Sequence, residues 1–248
     1  MTMQPTPVGP ARRAELAAGL ARIRTRIADA CAAAGRDRAE VTMIAVTKTY
    51  PAGDVLGLAA LGVTDVGENR DQEAAPKATE VAAAGVGVRW HFIGQLQRNK
   101  ARSVVRYADV VHSVDSVRLA RALDAAAAVG RDRPLDALVQ VSIDGDPGRG
   151  GALPDSTDPD RGLDRVADAL ADAAGLRLIG LMAVAPLGWE PERAFARLAE
   201  VAARVRQRYP QATAISAGMS GDLEQAIAHG ATHVRVGSAL LGMRPTLR

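Results

Sequence analysis

VTMIAVTKTYP, residues 41–51, decides how the rest of the chain is read. Val41, Met43, Ile44, Ala45 and Val46 form an almost continuous apolar run, the pattern of a strand buried on both faces in a parallel sheet. The run ends in Lys48, between two threonines, and Pro51 stops it. A lysine at the end of a buried strand loses hydration. Desolvation disfavours the ammonium and makes the free amine available as a nucleophile. Taken alone, the stretch reads better as a lysine reaching from a strand end to solvent. The neighbouring segments reverse that preference.

Outward from this strand the chain alternates. Apolar strand patterns occur at 41–48, 63–67, 89–94, 109–113, 135–143, 176–184, 212–216 and 233–236. Helical patterns precede, separate and follow them at 11–34, 52–62, 70–84, 97–107, 115–129, 163–174, 190–209 and 220–229, with a last short helix from Ser238. Strict βα alternation predicts a parallel sheet in the α/β class. Eight units in a chain of 248 residues is the size of a single (β/α)8 TIM-type barrel, here with an extra N-terminal helix. The runner-up, an open doubly wound sheet, would carry a G-x-G-x-x-G turn after its first strand; the chain has Lys48-Thr49-Tyr50-Pro51 there. Residues 1–10 read as a flexible tail and 11–248 as one barrel domain. Gly, Pro and Asp crowd 144–162, one long loop that could be a lid, a binding loop or disordered.

Composition narrows the function classes. The chain is 48% hydrophobic and 24% charged, ordinary for a soluble globular protein. Two Trp, two Phe and three Tyr supply few stacking platforms, and a net charge of +3 comes without a basic block. Both argue against a nucleic-acid partner. No apolar run is long enough to span a membrane. The single Cys31 precludes an intrachain disulfide framework and fits a reducing cytoplasm. The start, MTMQPTPVGP, lacks the basic and apolar regions of a signal peptide.

In such barrels the active face is the C-terminal rim of the strands. Lys48, Glu68, Asn69, Gly94, Gln95, His112, Ser113, Ser142 and Met182 all fall there, as do 216–220 and Gly237-Ser238. SAGMSGD (216–222) and RVGSA (235–239) are Gly- and Ser-rich turns leading into helices. Either alone would be helix capping by Ser220 or Ser238. Side by side after strands 7 and 8 they point to phosphate binding. Asp222 suits the helix start but should turn away from a bound anion. Closure of the barrel sets Lys48 beside these turns and Arg235. Reactive lysine, phosphate cradle and arginine together suggest pyridoxal 5′-phosphate (PLP) as cofactor, held as a Schiff base on Lys48. Arg235 would then donate to the ring nitrogen and keep it unprotonated, a poorer electron sink than a carboxylate partner gives. His229 and His233 are four apart, but Gly230 separates them and a metal site is not expected. His91 could face the barrel interior or be a satisfied core histidine.

The chain resembles the YggS/PROSC family of PLP homeostasis proteins. AVTKTYP (45–51), GEN (67–69), WHFIGQLQRNK (90–100), HSVDS (112–116), GLMAV (180–184) and SAGMSGDLEQAIAHGATHVRVGSALLG (216–242) carry the resemblance in the family's order. It implies an alanine racemase N-terminal-domain-like barrel. It further implies PLP on Lys48, held by Ser220, Arg235, Gly237 and Ser238, with Asn69 and Met219 lining the pocket. Arg149 stands where the family would have a lysine, and Ser238 where it often has threonine.

Racemisation needs acid–base groups on both faces of the bound substrate. In alanine racemase the second group is a tyrosine from the partner subunit's second domain, and no such domain is expected here because the eight βα units account for the chain. Tyr50, Tyr107 and Tyr209 do not obviously replace it. The missing second base argues against efficient catalysis, and the resemblance implies a PLP-binding protein of intracellular vitamin B6 and amino-acid/keto-acid balance, with no catalytic residue assigned. PLP-dependent apo-enzymes are its expected recipients, and it is expected to be a cytoplasmic monomer. The alternatives are a weak PLP-dependent amino-acid racemase, a cofactor-free Schiff-base aldolase and a pure interaction protein.

Overall fold

The computed structural model describes residues 8–242. The tail expected at 1–10 therefore lies outside the described residues from 1 to 7, and Pro10 already opens the first helix. Eight parallel strands close into a barrel in sequence order. They are β1 (Thr42–Val46), β2 (Asp65–Glu68), β3 (Arg89–Phe92), β4 (Val110–Val114), β5 (Leu135–Gln140), β6 (Leu176–Met182), β7 (Ala214–Ser216) and β8 (His233–Val236). The helices are α1 (Pro10–Ala33), α2 (Ala52–Ala60), α3 (Asp71–Ala83), α4 (Ala101–Tyr107), α5 (Val117–Gly130), α6 (Leu163–Ala171), α7 (Pro191–Arg208), α8 (Leu223–Ala228) and α9 (Ser238–Leu241). The barrel and the extra N-terminal helix match the sequence reading. β1, β3, β5 and β6 stop short of the apolar runs that predict them because those runs continue into the rim turns, β2 and β7 begin two residues later than predicted, and β4 and β8 have the predicted length.

The barrel places its core in two layers. Leu138, Met182, Val110 and Ala214 pack together as one cluster of the interior, while the helices bury Val, Leu and Ala against the outer face of the sheet. β1 pairs with β8 from Thr42↔His233 to Ala45↔Val236, and with β2 at Ala45↔Val66 and Val46↔Gly67. This closure sets the first and last strands side by side. Helix α1 lies outside the barrel across α8 and α9, burying Leu16, Leu20, Ile23 and Ile27 against Leu223, Ile227, Leu240 and Leu241. Gly19 permits that approach: a Cβ there would sit 2.2 Å from the Leu240 carbonyl oxygen. The cost of glycine in a helix interior is offset by close packing.

The segment after β5 is tied down. Its backbone bridges Ala152 to Gln140 and Ser142, and Leu153 to Arg161 and Leu163. Ala152 is fully buried. Arg161 donates to the carbonyls of Pro147, Arg149 and Gly151 at 2.9, 3.0 and 2.8 Å. Arg149 pairs with Asp144 at 2.7 Å and donates to the Val184 carbonyl at 3.1 Å, crossing to the link after β6.

Candidate functional site

Lys48 follows β1 and is exposed, which corrects the expectation of a lysine desolvated at a buried strand end. Its neighbour Thr47 is the buried residue, and the turn is clamped from α3. Lys77 donates to the Thr47 carbonyl at 2.8 Å and to Glu68 Oε1 at 2.5 Å. The Thr47 hydroxyl donates to the same Glu68 oxygen at 2.6 Å. Glu73 accepts from the Thr49 backbone N–H at 3.1 Å. Thr49 itself sits at φ +68°, the left-handed region a β-branched residue rarely enters. Lys48 thus projects from a turn whose backbone is held on both sides.

Strand pairing brings the predicted residues onto one rim. Gly237 follows β8 and lies against Val46, with a Cβ position 3.4 Å from the Val46 Cβ. The Arg235 N–H donates to the Gly218 carbonyl at 2.9 Å, which sets the turn after β7 beside β8. Ser220 Oγ accepts from Ala239 N–H at 3.5 Å, linking the two Ser/Gly turns. Neither Ser220 nor Ser238 caps its own helix. Asp222 is the N-cap of α8 and Gly237 that of α9, and neither helix has a side-chain cap. Ser238 is exposed and Gly237 half-buried. The Asp222 carboxylate folds back onto its own turn and accepts from the Met219 N–H at 2.6 Å. Met219 remains 41% exposed. Asn69 follows β2, next to β1, and packs so closely on Gly94 that a Cβ there would be 2.1 Å from the Asn69 carbonyl oxygen. The Asn69 Oδ1 is buried and has no hydrogen-bond partner among the described residues. Lys48, Asn69, Met219, Ser220, Arg235, Gly237 and Ser238 therefore occupy the rim ends of four neighbouring strands.

Arg235 is the electrostatic centre of this group. It is 5% exposed. It donates to Ser216 Oγ at 2.8 Å and to the Ala183 carbonyl at 2.9 Å, with no carboxylate among its hydrogen-bond partners in the described residues. Burial draws its pKa down to about 10, opposed by the charge of Asp222, so it is still a cation at neutral pH. A buried cation lacking a carboxylate partner and two open Ser/Gly turns fit a ligand that combines an anionic group with a neutral hydrogen-bond acceptor, and the orphaned Asn69 oxygen calls for a donor from that ligand.

Two constellations went unread in the sequence. One is the Lys77–Glu68–Thr47 clamp, because a lysine on a polar helix looks solvated. The other is a buried polar chain through the barrel, Asp65–His91–His112–Ser216. Its signal was present: RWHF and DVVHS alternate so that each histidine faces the interior of adjacent strands. His233 joins them, its ring centroid 6.2 Å from His91 and 6.3 Å from His112. His229 follows α8 while His233 lies in β8, so they share no helix face. Of the tyrosines, Tyr50 donates to the Gly242 carbonyl at 2.6 Å, Tyr107 packs edge-on to Trp90, and Tyr209 bonds Asp168. At the opposite end of the barrel a cavity of about 460 Å³ is lined by Arg89 and Arg177, both paired with Asp136. No helix of the described residues is long and apolar enough to cross a membrane.

Residues 19–245 match the family model of the alanine racemase N-terminal domain. The pyridoxal phosphate homeostasis protein of Mycobacterium tuberculosis is 48% identical, with 95% of each chain covered. That of Escherichia coli K12 is 37% identical over 93% of this chain and 97% of its own. Among solved structures, PipY of Synechococcus elongatus with PLP bound superposes with a TM-score of 0.77 at 35% identity, covering 92% of this chain and all of that one. Alanine racemase of Streptomyces coelicolor shares the fold at 22% identity and a TM-score of 0.72, this chain spanning 59% of its length.

Proposed function

We propose a function from the premise that this chain belongs to the alanine racemase N-terminal-domain family and, within it, to the pyridoxal phosphate homeostasis proteins. It binds PLP and serves intracellular PLP and amino-acid/keto-acid balance. The observation that carries this reading is Arg235: a buried guanidinium without a carboxylate partner among the described residues, on the same rim as the two Ser/Gly turns and Lys48. PLP, when bound, supplies an aldehyde, a phosphate and an aromatic nitrogen. Lys48 would hold the aldehyde carbon covalently through Nζ, its amine losing two protons as water leaves. The N–H groups and hydroxyls of Ser220, Gly237 and Ser238 would hold the phosphate. The turns themselves supply these donors, since α8 and α9 are too short to add much dipole. Asn69 and Met219 would line the pocket. Arg235 would donate to the ring nitrogen and, as a cation that does not give up its proton near neutrality, keep that nitrogen unprotonated.

The three tyrosines are engaged away from this rim or at its edge, which favours a carrier over a racemase. A cytoplasmic, monomeric carrier that passes PLP to apo-enzymes, built as one barrel over 11–248, completes the proposal. The test is PLP retention after desalting, followed by borohydride reduction and peptide mass analysis, for the wild type and Lys48→Ala. The wild type should carry one pyridoxyl phosphate on Lys48 and the variant none. Equal retention would overturn the assignment, and exchange of an amino-acid α-proton with deuterated solvent would favour the racemase.

A further inference from the structure

The Asp65–His91–His112–Ser216 chain ends on Arg235, and its chemistry allows only one direction. Arg235 has no acceptor, so it must donate to Ser216 Oγ at 2.8 Å. The Ser216 hydroxyl proton is then free for His112 Nδ1, 2.9 Å away. With Nδ1 accepting, a neutral His112 carries its proton on Nε2, which meets His91 Nδ1 at 2.8 Å. His91 in turn carries its proton on Nε2, facing Asp65 Oδ1 at 2.8 Å. The opposite direction would set a bare imidazole nitrogen against a carboxylate. Thr64 donates to the other Asp65 oxygen at 2.6 Å and holds it in place. His91 is 1% exposed, and His112 and Ser216 are fully buried, so water does not compete along the middle of the chain. Burial also keeps both imidazoles neutral at neutral pH, as this direction requires.

We propose that Asp65, His91, His112 and Ser216 form a positioning relay that fixes the guanidinium plane of Arg235 for a ring-nitrogen acceptor in the rim pocket. Four hydrogen bonds of one polarity strengthen one another in a buried setting. They carry the influence of the Asp65 carboxylate to Ser216, and so aim a polarised lone pair at Arg235 without placing a carboxylate beside it. A carboxylate in direct contact would occupy the guanidinium bidentately. A serine oxygen and one carbonyl engage two of its five N–H donors and leave the others for the ligand. The relay rests on the reading of Arg235 as the ring-nitrogen partner of PLP.

The experiment has two arms on the full-length protein. In the PLP-free protein, ¹⁵N NMR of the imidazoles at pH 7 should show His91 and His112 both neutral, protonated on Nε2 with Nδ1 bare. A proton on His112 Nδ1 would overturn the relay's direction. In the second arm, PLP labelled with ¹⁵N in its ring is titrated into wild type, Ser216→Ala and Ser216→Thr. Ser216→Ala should weaken PLP binding roughly ten-fold, the scale of one hydrogen bond to a charged group, and move the ring-nitrogen signal toward that of a pyridine without a donor. Ser216→Thr, which restores the hydroxyl, should return the wild-type signal. Unchanged affinity and signal in Ser216→Ala, with PLP bound by the wild type, would overturn the relay alone. Failure of the wild type to bind PLP would overturn the cofactor reading on which it rests.

Discussion

Lys77 donates to the carbonyl of Thr47 across 2.8 Å, one residue before the candidate cofactor lysine. The same ammonium meets Glu68 at 2.5 Å, and the two side chains are 7% and 1% exposed. The Lys48 turn after β1 is thereby bolted to α3 by a buried ion pair. Breaking such a pair leaves an uncompensated charge inside, whereas replacing both partners by apolar groups can be nearly neutral.

Lys77→Met should therefore destabilise the protein by ~3–5 kcal/mol, and Lys77→Met with Glu68→Leu by much less. Urea unfolding of the three proteins checks this. A double variant as unstable as the single would mean that packing, not charge, holds the turn.

Lys48→Ala should leave stability within about 0.5 kcal/mol of the wild type, since an exposed side chain away from caps and ion pairs contributes little to folding. Thermal unfolding of the PLP-free proteins measures it. A large loss would make Lys48 a folding residue and weaken its assignment as a ligand.

Three barrel histidines set an acid limit. Burial holds His91 and His112 below the ordinary imidazole value and His233 at about 4, its neighbours' positive charge adding to the effect. The unfolded chain takes up these protons below about 6.5 and the folded chain does not. Stability is thus fully present above that pH and falls as pH drops toward 4, by up to ~1.4 kcal/mol per pH unit for each histidine. Urea midpoints from pH 7 to pH 4 follow it; a flat profile would place the imidazoles in water.

Gly94→Ala would drive a methyl group into the backbone of Asn69, 2.1 Å from its carbonyl oxygen. Overpacking of this kind costs ~1–3 kcal/mol. Because the strain falls on Asn69, PLP affinity should drop along with stability, and a PLP titration beside urea unfolding separates the two.

Arg161→Ala removes three carbonyl bonds that fold the segment after β5 onto itself. Hydrogen exchange over 144–160 should rise sharply while β5 and β6 stay protected, since only the local anchor is lost.

The barrel was legible because its cause is local and repeated. Eight apolar runs alternating with amphipathic helices have few ways to bury every face, and closure satisfies the edges. The rim turns were legible for a similar reason: Gly and Ser after β7 and β8 are turn chemistry written residue by residue. The exposure of Lys48 was not legible, because β1 stops at Val46 and the apolar pattern does not record where a strand ends and a clamped turn begins. Lys77 looked like a solvated helix residue until α3 packed it over Glu68. Nor could His91 and His112, 21 positions apart, reveal that they share a hydrogen bond. Sequence alone determined which segments become strands and which residues reach the rim, since periodicity and turn propensity act over a few neighbours. Tertiary structure alone decided which buried polar groups find one another. Burial makes an unpaired charge or imidazole costly, and only the closed barrel determines who the partner is.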